Sequence, residues 1–495
     1  MLLVACCVAS GSLACRPSED PAEDRGSTVI MAVPDVVAVR PDAWNLDFLT
    51  FLPLAKWNGL GELEGNLARN WEHSSDHREY TYHLRTDVRW DDGVPVTAHD
   101  VKFTLDLLGH PDVAQYPGFE TTVVDDSTVR IRAADTGYID DISYFPRHLL
   151  EKLDPKSFWQ WDFWTQPVGN GPFRFVRYVP QTLMEFEANP DYYGERPRIE
   201  RLILKFVGDA GLPELLAGNV DMAPAELTEI PLLVRDPRFR LHVRSHPGAR
   251  GIYWKTDHPL FSDPRVRRAL TMAVNRRELL QFLNLPDELP ITDGVFTRYQ
   301  LRRGDWPEAL PYDPEQAATL LDAAGWVDQG DDRVREKDGL PFRFTASVWS
   351  VEPYPQLAVY VQEFFRRVGV DMGLQSVDDA SGWDRLRAGD FEALFMIVQA
   401  YPGAQRRDFG RGNQTGYQNT EAFAVIDSLQ ATADPEEQNR LYRRLTEIFR
   451  TDMPFTRLIP SSSNWLVHRR VGAPSTDFLS VPDYYMEELW IEAKP

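Results

Sequence analysis

Beyond residue 15 this 495-residue chain has no cysteine: Cys6, Cys7 and Cys15 are the only three. The body of the chain therefore carries no intramolecular disulfide framework, no thiolate metal site and no cysteine nucleophile. Basic residues are also scarce, 53 Lys and Arg against 75 Asp and Glu, for a formal net charge of -22. Nucleic acid is excluded as a partner, because recognition of a phosphate backbone needs a basic footprint. The apolar N-terminal stretch MLLVACCVASGSLAC falls well short of the roughly 20 residues that span a bilayer. Neither Gly-x-Ser-x-Gly nor His-Glu-x-x-His occurs, which removes the nucleophile elbow and the zinc helix. Apolar residues, by contrast, are plentiful: 43% of the chain, with 14 Trp. Such a chain buries large cores, and its length divides it into two or three lobes.

The N-terminal stretch reads as the apolar region of a signal peptide, although no basic segment precedes it. Leu13-Ala14-Cys15 and the polar RPSEDPAEDRGS that follows resemble a bacterial lipoprotein junction, with residues 1–15 the signal and 16–27 a disordered tether. Cys15 is the expected lipidated residue, with Leu3-Val4-Ala5-Cys6 a competing junction and a plain secretion signal the alternative. A single lipid chain anchors weakly, so a multiply acylated cysteine is implied.

Between Leu63 and Leu108 the local signals agree. Tyr80, Tyr82 and Leu84 alternate with Thr81, His83 and Arg85, the period of a half-buried strand, and Val88 and Trp90 extend it. Asp91-Asp92-Gly93 with Pro95 supplies turn chemistry. Thr97, with Asp100 three residues on, marks a helix start ahead of Val101, Leu105 and Leu108. Further on, Gly169 and Gly171 flank Asn170 and suit a backbone of positive φ, and Pro172 opens an alternating strand. A phosphate-cradling loop is disfavoured there, since no Lys-Ser/Thr follows. Asp263-Pro264, Asn275, Asp313-Pro314 and Asp434-Pro435 each cap a helix, and Gly325 stops one. Strands at 342–348 and 370–376 alternate with a helix at 355–368, which predicts a mostly parallel α/β sheet.

These runs resemble family 5 of the extracellular solute-binding proteins of ABC importers, the dipeptide-, oligopeptide- and nickel-binding group. The resemblance rests on the tyrosine, leucine-arginine, Asp-Gly-x-Pro and Thr-Ala-x-Asp-Val run at 80–101, on Gly169-Asn170-Gly171-Pro172, on Asn189-Pro190-Asp191-Tyr192-Tyr193 and on Gly416-Tyr417-Gln418-Asn419. It implies an α/β, two-lobed periplasmic binding protein type II fold with an extra small α/β subdomain inserted in the first lobe. Residues 28–50, 164–250 and 470–495 would form lobe I, 51–163 the inserted subdomain and 251–469 lobe II. It implies further a periplasmic or cell-surface monomer, tethered to the membrane by its lipid, that binds a peptide or oligosaccharide and delivers it to ABC permease subunits. No cofactor, catalytic residue or metal ligand is expected.

Six aromatics are candidate ligand contacts by the family's layout: Trp44, Trp254, Trp349, Trp383, Tyr401 and Tyr417. Peptide binders of the family hold the ligand's amino terminus with an aspartate in the segment matched by 395–403. Here Ala400 and Gly403 stand where acids are usual, and Phe423 replaces another aspartate, so peptide binding is not to be assumed. An oligosaccharide receptor and a binding protein feeding a sensor remain alternatives, with a cleft glycosidase more distant. The adjacent acids Asp91-Asp92, Asp125-Asp126 and Asp331-Asp332 lie in hydrophilic turns, where ordinary pKa values are expected. His73 and His77 stand four apart before a strand and are expected to face water rather than a metal.

Overall fold

The computed structural model describes residues 25–33, 49–57, 63–76, 78–113, 119–132, 142–226, 230–233, 235–285, 289, 291–295, 308–328, 333–399, 402–432, 434–473 and 488–492. One ten-stranded sheet runs through both lobes. Its spatial order is Asp371–Val377, Arg343–Trp349, Ala393–Val398, Phe239–Trp254, Phe455–His468, Met222–Pro224, Thr28–Val33, Arg201–Phe206, Leu183–Ala188 and Phe173–Val179. The first three strands are parallel to one another, as the alternating pattern predicted. Phe239–Trp254 and Phe455–His468 pair antiparallel to each other and to their flanking strands, so the sheet as a whole is mixed. The reason is connectivity: one strand carries the chain out of the first lobe and the other carries it back.

These two strands are long, 16 and 14 residues. Their register shifts between His246 and Ala249 and again between Arg250 and Gly251. Such bulges bend a strand and increase its local twist. Gly251 sits at the tighter point, where a Cβ would lie 2.5 Å from the Thr456 carbonyl oxygen.

Within the 63–108 run the short strand Leu63–Gly65 pairs with Ala55–Trp57, and two further strands, Ala68–His73 and Glu79–Leu84, lead to the helix Ala98–Leu108. With Glu120–Asp125 and Thr128–Arg132 they make a separate four-stranded sheet. The Asp100 carboxylate accepts from the Thr97 amide at 2.8 Å and from the Arg147 amide at 2.9 Å, so one acid caps the helix and docks the next segment. The predicted continuation of the strand to Trp90 is corrected. The strand stops at Leu84, a bend intervenes, and Val88 and Trp90 are buried beside an isolated bridge from Arg89 to Pro95. The predicted caps at Asp263, Asn275, Asp313 and Asp434 all accept an amide from the first turn of their helices. Gly325 stops its helix at φ +90°.

At Gly169 and Gly171 the expected positive φ is absent. Glycine is needed there for close approach, since a Cβ on Gly169 would meet the Thr50 carbonyl oxygen at 2.3 Å and one on Gly171 would meet that of Leu49 at 2.9 Å. Asn170 completes the junction by accepting from the Leu52 amide at 2.9 Å.

Apolar side chains follow the sheet across its bend. One continuous core joins Ala32, Leu215 and Ala223 of the first lobe to Ile252, Phe261, Leu270 and Phe365 of the second. A second core joins Val29, Leu202 and Phe173 to Tyr82, Leu84 and Val101 of the four-stranded unit. A third, around Tyr253, Phe409 and Phe449, covers the other face of the second lobe.

Candidate functional site

Strand direction locates the cleft. Parallel register sets Trp349 beside Val377 and Val348 beside Phe395, so the carboxyl ends of the three second-lobe strands lie along one edge. Val398 pairs with Ala249, which puts that edge at the bend. In the first lobe Met31 pairs in parallel with Met222, and Pro224 pairs antiparallel with Trp465. The carboxyl ends at Val33 and Pro224 therefore face the same bend from the opposite side. Open α/β sheets bind ligands outside the carboxyl ends of their strands, and here two such edges meet.

Several polar and aromatic side chains gather on the second-lobe edge. Trp349, at a strand end, has its ring 5.3 Å from Tyr354 and 6.4 Å from Trp383. Its indole Nε1 is buried with no hydrogen-bond partner. The same is true of Glu352 Oε2 and Gln356 Oε1 in the segment that follows. Unpaired buried polar atoms cost stability. The Arg407 guanidinium lies 5.5 Å over the Trp383 ring and donates to Gln399 Oε1 at 3.1 Å. Behind it, Asp408 accepts from Arg407 and from the Tyr253 hydroxyl at 2.9 Å. Burial pushes the Asp408 carboxyl up against the pull of Arg407 and Tyr253.

At the bend, Arg250 is half-buried and donates to the Pro460 carbonyl at 3.3 Å. Burial draws its pKa down, while Tyr354 of the second lobe and Glu226 of the first oppose that. Farther out, the two bodies touch. Arg78 Nη2, beside the four-stranded sheet, donates at 2.7 Å to the Ala431 carbonyl at the end of helix Thr420–Ala431.

Of the six predicted aromatics, the structure brings Trp349 and Trp383 together at the cleft edge. Trp254 is fully buried at the opposite, distal end of the second-lobe sheet, paired with Ala393, and its Nε1 donates to Thr456 Oγ1 at 3.0 Å. Tyr417 is buried too, its hydroxyl donating to Asp452 at 2.6 Å. Both are core residues here. Trp44, Tyr401, Ala400 and Cys15 lie outside the described residues. Sequence reading passed over Arg250, Tyr354 and Glu352. The available signal was an arginine flanked by Gly248-Ala249 and Gly251-Ile252-Tyr253-Trp254, in the less polar end of its strand.

The reading of Asp91 as a solvated turn acid is corrected. Its carboxylate accepts from the Gly169 amide at 3.0 Å and is 3.4 Å from Arg174, and burial raises its pKa to about 6. Asp92 does sit near the surface, where its bond to His148 at 2.7 Å lowers its pKa. His73 Nδ1 lies 3.0 Å from the Ser74 carbonyl oxygen, and His77 is outside the described residues. Among the described residues no cluster of His, Cys, Asp or Glu could hold a metal ion.

Two lobes, a sheet continuous through both and a cleft at facing strand ends define a two-lobed binding protein. The family model described as bacterial extracellular solute-binding proteins, family 5 Middle, matches residues 62–408. The chain belongs to that family. It is 29% identical over 294 residues to a putative ABC transporter peptide-binding protein of Brucella abortus, a match covering 56% of this chain. The match spans 55% of that relative, about half its length. The oligopeptide-binding protein AppA of Bacillus subtilis is 24% identical over 80% of this chain and 76% of its own. Among solved structures, the ABC transporter substrate-binding protein CtaP of Listeria monocytogenes superposes with a TM-score of 0.77 over 94% of this chain and 99% of its own, at 18% identity. The family and these relatives are binding proteins rather than enzymes, and the family is extracytoplasmic. Among the described residues no helix is long and apolar enough to cross a membrane.

Proposed function

We propose that the protein captures a peptide-like or other small solute between its lobes and hands it to the permease subunits of an ABC importer. The observation that carries this reading is the convergence of both lobes' strand ends on the bend, with unpartnered polar atoms and the Trp349–Trp383 pair at the edge. Closure over that edge buries a ligand and presents a changed outer surface to a membrane partner. Residues 28–50, 164–250 and 470–495 serve as lobe I and 251–469 as lobe II, with 51–163 inserted. Trp349 and Trp383 are the ligand contacts, their ring faces suited to an apolar side chain, a sugar or a cation. The protein works as a monomer at the cell surface or in the periplasm, held by a lipid on Cys15.

A thermal-shift screen against di- to pentapeptides, oligosaccharides and metal chelates tests the capture. Ligand at a hundredfold excess over Kd raises stability by about 2.7 kcal/mol. No shift with any of the three classes refutes the reading. Membrane attachment unchanged by Cys15→Ser refutes the anchor.

A further inference from the structure

Away from the cleft, the amino-terminal half of the second-lobe sheet carries a hollow that the capture reading does not use. The helix Asp379–Ala388 covers the other half of this sheet face. At Gly382 a Cβ would sit in ordinary contact with Trp349 and Val377, the last residues of their strands. The chain then turns at Gly389, φ +68°, and returns through Asp390-Phe391-Glu392 to the strand Ala393–Val398. What stays open is a hollow of about 480 Å³, floored by Thr345, Ser347 and Gln375 and walled by Arg385, Glu392 and Lys255. That is room enough for a small molecule.

The floor is polar because of strand register. Ser347 pairs with Gln375 and Thr345 with Gly373, so the three polar side chains share one face and the glycine leaves a gap beside them. Ser347 is 3% exposed, yet among the described residues its hydroxyl has no hydrogen-bond partner. The same holds for the Thr345 hydroxyl and the Gln375 carboxamide. Buried hydroxyls are normally paired, and this one opens onto the hollow.

The walls are charged, but their charges are already partnered. Glu392 accepts from the Thr345 amide at 2.7 Å and lies 3.4 Å from His258 Nε2. Lys255 donates to the Gln414 carbonyl at 2.8 Å, and Arg385 to the Asp390 carbonyl at 3.2 Å. An ion therefore finds no unbalanced charge here. Hydroxyls and a carboxamide each donate and accept, which is the complement of other hydroxyls. Phe391, 8% exposed, adds apolar surface for a C–H face.

We infer that this hollow is a second binding site, outside the interlobe cleft, for a neutral polyhydroxylated ligand: a sugar, free or at the end of a glycan chain. It stands independently of the capture reading.

The test titrates maltose, trehalose, cellobiose and maltohexaose into the full chain by calorimetry, with threonine-methyl spectra to locate the ligand. At least one sugar saturates the parent and shifts the Thr345 methyl resonance, assigned through Thr345→Val. Ser347→Ala and Thr345→Val each weaken binding about fivefold, the scale of one neutral hydrogen bond. Gly373→Leu, whose Cβ would meet Thr345 Oγ1 at an ordinary 3.5 Å, fills the hollow from the exposed edge strand and abolishes binding. Maltohexaose binding at least as tightly as maltose identifies a glycan chain as the source, and weaker binding identifies a free sugar. Saturation by none of the four sugars overturns the inference. A sugar that binds Gly373→Leu as well as the parent, with Thr345 unshifted, sits elsewhere, which overturns this site and leaves the capture reading standing. Affinities of Ser347→Ala and Thr345→Val within twofold of the parent overturn the role of the floor. Citrate shifting Thr345 at lower concentration than any sugar overturns the neutral class.

Discussion

Removing the Arg78 contact should loosen the closed arrangement by a predictable amount. Its guanidinium reaches the Ala431 carbonyl at 2.7 Å, and that carbonyl belongs to the last turn of a helix, where unpaired C=O groups carry partial negative charge. The contact is solvent-exposed. A bond from a charged donor in that setting contributes about 1 kcal/mol, part hydrogen bond and part helix dipole. It joins the inserted subdomain to the end of a second-lobe helix, so it favours the arrangement in which the two touch. Arg78→Ala should lower the ratio of closed to open forms about fivefold, since 1.4 kcal/mol corresponds to tenfold. The assay is single-molecule energy transfer between dyes on cysteines introduced at Glu72 and Glu436, with Cys6, Cys7 and Cys15 replaced by serine. Raising the ionic strength should shrink the difference between Arg78→Ala and the parent. A closed-to-open ratio unchanged within twofold would refute the reasoning, because the bond would then be absent in solution or matched in the open form.

Two further substitutions test the interior. Asp91, held near 6 against an ordinary 3.8, keeps its proton in the folded state at pH values where the unfolded chain has released it. The stability it contributes is full below about pH 4 and is lost as pH rises through 6, about 2 units or roughly 3 kcal/mol at most. Asp91→Asn should therefore gain on the parent by up to that amount between pH 4 and 7 in urea unfolding, and a pH-independent difference would be inconsistent with a raised pKa. Asp293 is 2% exposed, pairs with Arg276 and accepts the Leu310 amide at 2.6 Å, so Asp293→Ala strands a buried cation. A loss of about 3–5 kcal/mol is expected, and less than 1 kcal/mol at equal m value would show that Arg276 finds another acceptor.

Legibility in the sequence followed the range of the cause. Helix caps at Thr97, Asp263, Asn275, Asp313 and Asp434 are set by residues two or three apart, and all five were readable. The glycines at 169 and 171 were seen but misread, because what demands them is a backbone at 49–50, over a hundred positions away. The alternating strands of the second lobe were legible, whereas the antiparallel pairing of the two long strands was not, since it joins segments some two hundred residues apart. Within the site, aromatic character alone could not separate Trp349 at a strand's carboxyl end from Trp254 at the far end of the same sheet. Arg250 was missed for a related reason: an arginine's meaning depends on which acceptors surround it, and those come from other strands and a distant helix.

The core that runs from Ala32 to Phe365 without interruption bears on how the molecule comes apart. Lobes joined by a solvated linker melt one after the other, each with its own transition. Here the strands that permit bending also share hydrogen bonds and apolar neighbours with both sides, so losing one lobe strips the other of part of its interior. Heating should give a single calorimetric transition whose van't Hoff and measured enthalpies agree, despite a length at which two-step melting is common.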